Sequence, residues 1–103
     1  MIIYHITTIP EWKQANFNGY YEAASLQHEG FIHCSTEQQV NGVLQRYFAG
    51  KTNLLKLVID TDKLENEWKF ELAPSVNEEF PHVYGTINLD AVIGVMSVEN
   101  LSG

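Results

Sequence analysis

Hydrophobic and polar residues alternate along residues 2–7, and their β-branched and aromatic composition predicts a strand. Because successive side chains of a strand point to opposite faces, these residues divide into two sets. The sets are Ile2, Tyr4 and Ile6 on one face, and Ile3, His5 and Thr7 on the other. A helix capped by Thr8 should follow, ending near Phe17 before the turn pair Asn18-Gly19.

A second helix is predicted by apolar residues that recur at i, i+3, i+4, i+7 and i+8, the spacing of one helical face. They are Val40, Val43, Leu44, Tyr47 and Phe48. Ser35 and Gln38 have the spacing of a capping box at the start of this helix, and Gly50 marks its end. A short strand at residues 31–34 should precede it, and residues 20–29 read as an ordered loop.

The second half of the chain predicts a run of strands. They lie at residues 54–60, 67–72, 81–85 and 91–98, with a polar turn at 61–66 and an acidic loop at 73–80. Alternation in the second of these strands predicts two faces. Trp68, Phe70 and Leu72 should face the core, and Glu67, Lys69 and Glu71 should face away from it.

This order of elements predicts an α+β fold in which two helices in the N-terminal half pack on a bent or split mixed β-sheet. The length suits one domain, so residues 1–103 should form a single domain. One cysteine excludes an internal disulfide, and the sequence shows neither a signal-peptide pattern nor a membrane-span pattern. We therefore expect a cytoplasmic protein that does not bind membranes.

The charge balance excludes one class of partner. Lys and Arg number 6 against 13 Asp and Glu, which gives a net charge of −7, and Arg46 is the single arginine. Proteins that bind nucleic acid through its backbone need a basic stripe to neutralise phosphates. The sequence therefore predicts no general affinity for RNA or DNA.

Histidine and a hydroxyl residue share a face on three predicted strands. The pairs are His5 with Thr7, His33 with Ser35, and His82 with Tyr84, and a fourth strand supplies the carboxylate of Glu71. If these side chains converge, they offer groups that bind sugar hydroxyls and one general base or cation stabiliser, which suits a sugar or nucleotide ligand. Cys34 alternates with His33, so it should lie in the core and not act as a nucleophile.

Simpler interpretations remain open for the same residues. A histidine beside aromatic residues is often structural, and a helix cap is a sufficient role for Ser35. A second alternative for the protein is a non-catalytic module that binds a small ligand or a partner in the same cleft. A third alternative is a metal-dependent hydrolase that uses His5, His33 and His82, although no metal-binding spacing accompanies them.

Several stretches together resemble one bacterial family, catalogued as domain of unknown function 952, over nearly the whole chain. They are Ile3-Tyr4-His5-Ile6-Thr7, Trp12, Gly19-Tyr20-Tyr21, Ser25-Leu26, Glu29-Gly30-Phe31-Ile32-His33-Cys34-Ser35, Gln39-Val40 and Pro81-His82-Val83-Tyr84-Gly85. That family is in turn similar to the ADP-ribosyltransferase superfold, whose split, bent sheet binds NAD in a cleft. The Tyr-His-x-Thr and Ile-His-x-Ser motifs of the RNA 2′-phosphotransferases in that superfold match residues 4–7 and 32–35.

The resemblance implies a nucleotide ligand, with NAD as cofactor and transfer of ADP-ribose as the activity. It implies that His5 bonds the nicotinamide ribose and that Thr7 fixes the strand end. Glu71 would stabilise the oxocarbenium-like ribose as nicotinamide leaves. The expected catalytic residues are Glu71 and His33, and the expected cofactor-binding residues are His5, Thr7, Ser35, His82 and Tyr84. With one arginine in the chain, removal of RNA 2′-phosphates is not implied.

Overall fold

Three β-sheets and three α-helices form the computed structural model, which describes residues 1–98. In chain order the elements are β1 (Ile2–Thr8), α1 (Ile9–Asn18), β2 (Tyr20–Tyr21), α2 (Ala24–Glu29), β3 (Ile32–His33), α3 (Val40–Tyr47), β4 (Leu54–Asp60), β5 (Trp68–Ala73), β6 (Glu78–Val83), β7 (Ile87–Asn88) and β8 (Val92–Val98). Short 3-10 turns lie at Glu37–Gln39, Thr61–Lys63 and Leu89–Ala91.

All strand pairs in this part of the chain are antiparallel, in sheets ordered β1-β4-β8, β2-β7 and β3-β6-β5. The α+β class is confirmed, but the expectation of a mixed sheet is wrong. A bridge between Tyr4 and Ser35 joins the first sheet to the strand segment that follows β3. This bridge links the first sheet to the third sheet next to His5 and Cys34.

The main core lies between these sheets and is closed by α1. Its residues with 0 % exposure include Ile3, Ile32, Leu57, Ile59, Val83 and Ile87. A second cluster packs α3 against β1 and β4 through Val40, Ile6 and Leu54. The predicted helical face is confirmed in part, since Val40 is buried and Leu44 and Phe48 pack against the cluster, whereas Tyr47 is 57 % exposed.

Two elements lie where the sequence predicted loops. Residues 20–29 contain β2 and α2, and β2 pairs with β7, a partner far away in the chain. The predicted acidic loop at residues 73–80 shrinks to residues 74–77, because β5 and β6 extend into a tight hairpin. The β2 strand and the longer hairpin reflect strand pairing that no local sequence signal records, whereas α2 is a short helix without a side-chain N-cap bond.

The inward face predicted for β5 is wrong for two of its three residues. Phe70 and Leu72 are 39 % and 54 % exposed, and of the three only Trp68 packs against the core. The strand lies at the edge of its sheet, so its later residues run past the core instead of over it. Leu72 contributes to the wall of a cleft.

The start of the α3 segment is shifted by one residue from the predicted capping box. Thr36 and Gln39 form the box, with the backbone nitrogen of Thr36 bonded to the side chain of Gln39 at 3.0 Å. Ser35 is instead buried, and its backbone forms both hydrogen bonds of the bridge with Tyr4. The simpler interpretation of Ser35 as a helix cap is therefore wrong.

Candidate functional site

A cleft of about 610 Å³ opens between α3 and the β5–β6 hairpin, with β1 and β3 at its base. Its polar lining consists of His5, Ser25, Glu29, His33, Ser35, Ser75 and His82. Most of the remaining wall is apolar or aromatic, formed by Ile6, Phe31, Val43, Tyr47, Phe48, Leu72, Pro74 and Phe80. A volume of several hundred Å³ and a mainly apolar wall with few polar groups are typical of small-molecule sites.

His5 uses both of its ring nitrogens inside the protein. Nδ1 lies 2.5 Å from the backbone oxygen of His33, and Nε2 lies 2.7 Å from the hydroxyl of Tyr21. A carbonyl oxygen only accepts, so Nδ1 carries the proton and donates. Burial lowers the pKa of His5 to about 4, although the bond to His33 acts in the opposite direction. The ring is therefore neutral at pH 7 and has a structural role.

Thr7 lies behind His5, away from the cleft. Its hydroxyl lies 3.0 Å from the Tyr21 hydroxyl and 3.3 Å from a carboxylate oxygen of Glu11. Tyr21 donates its single proton to Nε2 of His5, so the one proton of Thr7 serves only one of these two contacts at a time. The Tyr21 side chain is buried, and this burial raises its pKa. A continuous network thus runs from Glu11 through Thr7 and Tyr21 to His5. Glu11 reaches Thr7 from the first turn of α1, whereas only the folded chain brings Tyr21 to His5, so neither residue was predicted for the site.

His82 is oriented by a carboxylate on the neighbouring strand. Its Nδ1 lies 2.7 Å from Oε1 of Glu71, and the hydroxyl of Tyr84 donates to the same oxygen. These two bonds, the one from Tyr84 first, hold the pKa of Glu71 below its usual value. The bond to Glu71 is also the largest cause that raises the pKa of Tyr84 to about 12. Glu71 is thus ionised at pH 7 and only accepts.

The other ring nitrogen of His82 faces the cleft. Nε2 has no hydrogen bond within residues 1–98. Every buried side-chain nitrogen and oxygen in that part of the chain has a partner, so this unpaired atom must be reached by solvent. Because His82 is otherwise buried and lines the cleft, that access comes from the cleft.

His33 lies beside His82 and is held in a similar way. The two residues are directly opposite on β3 and β6, with ring centres 5.2 Å apart. Nε2 of His33 lies 2.7 Å from the carboxylate of Glu29, and this pair is about half exposed. Phe31 stacks on His82, with ring centres 4.0 Å apart, and meets the edge of His33 at 4.8 Å. Glu29 and Phe31 precede β3 and were not predicted as site residues.

The cleft thus brings together four of the seven predicted site residues: His5, His33, Ser35 and His82. Glu71 and Tyr84 stand behind His82 and do not line it. Cys34 is 2 % exposed and burial raises its pKa, which confirms its placement in the core.

Charge is divided unequally around the cleft. Among residues 1–98 its lining includes Glu29 but no Lys or Arg. On the α3 side, however, the guanidinium of Arg46 lies over the ring of Tyr47, and Lys51 Nζ lies over the ring of Phe48, each at 5.7 Å. Those two rings form part of the wall. Positive charge therefore lies next to two aromatic residues of the wall, although no Lys or Arg among residues 1–98 lines the cleft itself.

The described part of the chain holds no group of three His, Cys, Asp or Glu side chains that is arranged to bind a metal ion. Both nitrogens of His5 are already bonded, so the three-histidine set of the hydrolase alternative does not form. None of the helices within residues 1–98 is long and apolar enough to cross a bilayer.

Fold and site together define a small α+β protein with a histidine-lined cleft between two antiparallel sheets. The chain belongs to the family described as "Protein of unknown function (DUF952)", whose model matches residues 6–95.

The crystal structure of protein CC0527 from Caulobacter crescentus is similar, with a TM-score of 0.87 and 28% identity over 96% of this chain and 87% of that one. The solution NMR structure of CC0527 gives a TM-score of 0.82 and 28% identity, covering 95% and 84%. No curated protein matches. The likeness to the ADP-ribosyltransferase superfold stays a prediction.

Proposed function

We propose that this protein binds a nucleoside-containing small molecule in the histidine-lined cleft, with NAD as the first candidate. One observation carries the proposal: His33 and His82 lie side by side at the polar end of an otherwise apolar and aromatic cleft. Flat rings suit an aromatic wall, and sugar hydroxyls suit convergent polar groups. A nucleoside combines these two parts in one molecule.

The α3 wall supports a phosphate-bearing ligand. Arg46 and Lys51 lie over the rings of Tyr47 and Phe48, so both place positive charge next to that wall of the cleft. Both side chains bind phosphate well, Arg through paired hydrogen bonds and Lys as a point charge. In this arrangement the phosphates of NAD lie towards α3, and a ribose lies towards the histidines.

Transfer of ADP-ribose is a further step, and a specific observation bears on it. The carboxylate that would stabilise the ribose cation is Glu71, yet its Oε1 is occupied by His82 and Tyr84, and Glu71 does not line the cleft. This favours a second candidate, a binding module that performs no chemistry. Binding and transfer therefore need separate tests.

Calorimetric titration with NAD and ADP-ribose at up to millimolar concentration tests binding. We expect saturable heat from the wild type and about tenfold weaker binding by His82→Ala, the loss of one hydrogen bond. His28→Ala is the matched control, since His28 lies on α2 and does not line the cleft. No heat from the wild type would contradict the proposal.

Assay of free nicotinamide decides between the two candidates. Release by the wild type but not by Glu71→Gln would support transfer. Tight binding of NAD without any release would support the module.

A further inference from the structure

The polar end of the cleft points to the part of the ligand that it recognises. We propose that His33 and His82 together bind a vicinal diol, such as the 2′- and 3′-hydroxyls of a ribose, each imidazole accepting a hydrogen bond from one hydroxyl. The inference rests on the proposed function, because it names the group by which a nucleoside is held.

The first acceptor follows from the partner of His82. The ionised carboxylate of Glu71 only accepts, so Nδ1 of His82 must donate to it. In the neutral imidazole the second nitrogen, Nε2, then carries a lone pair and no proton. This nitrogen opens to the cleft and has no partner within the described residues. Nε2 can therefore accept a hydrogen bond from a ligand bound in the cleft.

The second acceptor follows from the partner of His33 by the same reasoning. Nε2 donates to the carboxylate of Glu29, which leaves Nδ1 as the acceptor of the neutral ring. Nδ1 has no hydrogen bond within residues 1–98. In their neutral forms, two imidazoles with ring centres 5.2 Å apart present two lone pairs and no free N–H.

A vicinal diol matches this pair better than other donors do. It carries two O–H donors on separate atoms, one for each ring, whereas a carboxamide has both donors on a single nitrogen. A diol can therefore supply one donor to each of the two ring nitrogens.

The two rings are held in place before any ligand arrives. Phe31 stacks on His82 with an interplanar angle of 14° and meets the edge of His33. Glu71 fixes one ring by a hydrogen bond and is itself held by Tyr84, while Glu29 fixes the other ring. We assign Glu71, Tyr84 and Glu29 as positioning residues, since they act through the histidines. A preorganised site loses less entropy on binding.

Calorimetry with adenosine, 2′-deoxyadenosine and 3′-deoxyadenosine tests the inference on the wild type alone. We expect each deoxynucleoside to bind about tenfold more weakly than adenosine, because one ring nitrogen loses its donor. Equal affinity for all three would overturn the diol while leaving nucleoside binding intact. No binding of adenosine, NAD or ADP-ribose would overturn the proposed function itself.

Single variants assign the hydroxyls. His33→Ala and His82→Ala should each bind adenosine about tenfold more weakly, and each should lose discrimination against one deoxynucleoside while keeping it against the other. A general structural role would weaken all three nucleosides equally and leave the discrimination unchanged, which would overturn the assignment. His28→Ala should preserve both preferences, and Tyr84→Phe should weaken discrimination only at the hydroxyl assigned to His82.

Discussion

The ring of His5 holds the backbone of His33, since its Nδ1 lies 2.5 Å from the carbonyl oxygen of that residue. Next to this bond, the backbones of Tyr4 and Ser35 are joined by hydrogen bonds of 2.8 and 2.7 Å. These three contacts tie the first sheet to the third at the base of the cleft. The first-strand histidine thus positions the strand that carries His33.

The Tyr21 hydroxyl should contribute measurably to stability, because it bonds both to Nε2 of His5 and to the hydroxyl of Thr7. Tyr21→Phe leaves Nε2 of His5 without a partner and leaves the Thr7 hydroxyl with only its contact to Glu11. The substitution should lower the free energy of unfolding by about 1–3 kcal/mol. Tyr20→Phe is the matched control, because Tyr20 is 40 % exposed, and its effect should stay within about 0.5 kcal/mol. Urea unfolding measures both, and equal losses would disprove the role of the network.

Stability should fall in acid through His5. Its pKa is about 4 in the folded protein against an ordinary 6.5, so between these values the unfolded chain binds the proton more readily. The contribution is complete above about pH 6.5, is lost as the pH falls towards 4, and amounts to about 3 kcal/mol.

Urea unfolding between pH 7.5 and 4 compares the wild type with His5→Gln. The variant should be less stable at pH 7.5 but should lose less stability on acidification, since it lacks the titrating group. Carboxylates titrate in both proteins, so the difference between the two curves isolates His5. Parallel curves would show that His5 is not shielded as described.

Gly85 should tolerate alanine poorly, because its φ is +151° and a Cβ there would lie 2.5 Å from the amide nitrogen of Asn66. That amide bonds to the oxygen of Thr86 at 2.8 Å, so it cannot move away without losing the bond. Gly85→Ala should cost on the order of 2–3 kcal/mol. Gly50→Ala, with φ +76° and open space around it, should cost only about 1 kcal/mol. Thermal unfolding compares them, and a smaller loss at Gly85 would be inconsistent with the packing.

The Cys34 thiol should be inert in the folded protein. It is 2 % exposed, and burial raises its pKa, so little thiolate forms at pH 8. An aromatic disulfide reagent should label it rapidly in urea and very slowly in buffer. Labelling of the folded protein within seconds would contradict the burial.

Local signals predicted α1 and α3, because caps and periodicity depend on neighbouring residues, but they missed α2. Thr8 and Glu11 form a capping box at the start of α1, and Gly19 ends it in a left-handed conformation. At α3 two boxes overlap in the sequence, since Ser35 with Gln38 and Thr36 with Gln39 have the same spacing. Only the distant bridge to Tyr4, which removes Ser35, selects the second box.

Strand alternation predicted which side chains share a face of one strand, but it could not predict which strands lie next to each other. Alternation identified His33 and His82 as site residues, but their side-by-side placement depends on the pairing of β3 with β6. The bond between Glu71 and His82 could not be predicted either, because it also depends on strand pairing, that of β5 with β6. Tyr21 was missed because its partner His5 lies on another element.

The most direct test of a ligand between the two rings is NMR detection of the histidine ring nitrogens during titration with adenosine. Nδ1 of His33 and Nε2 of His82 should shift with ligand concentration, whereas the nitrogens of His28 should not move. Titration to saturation without any shift in the rings of His33 and His82 would contradict the account.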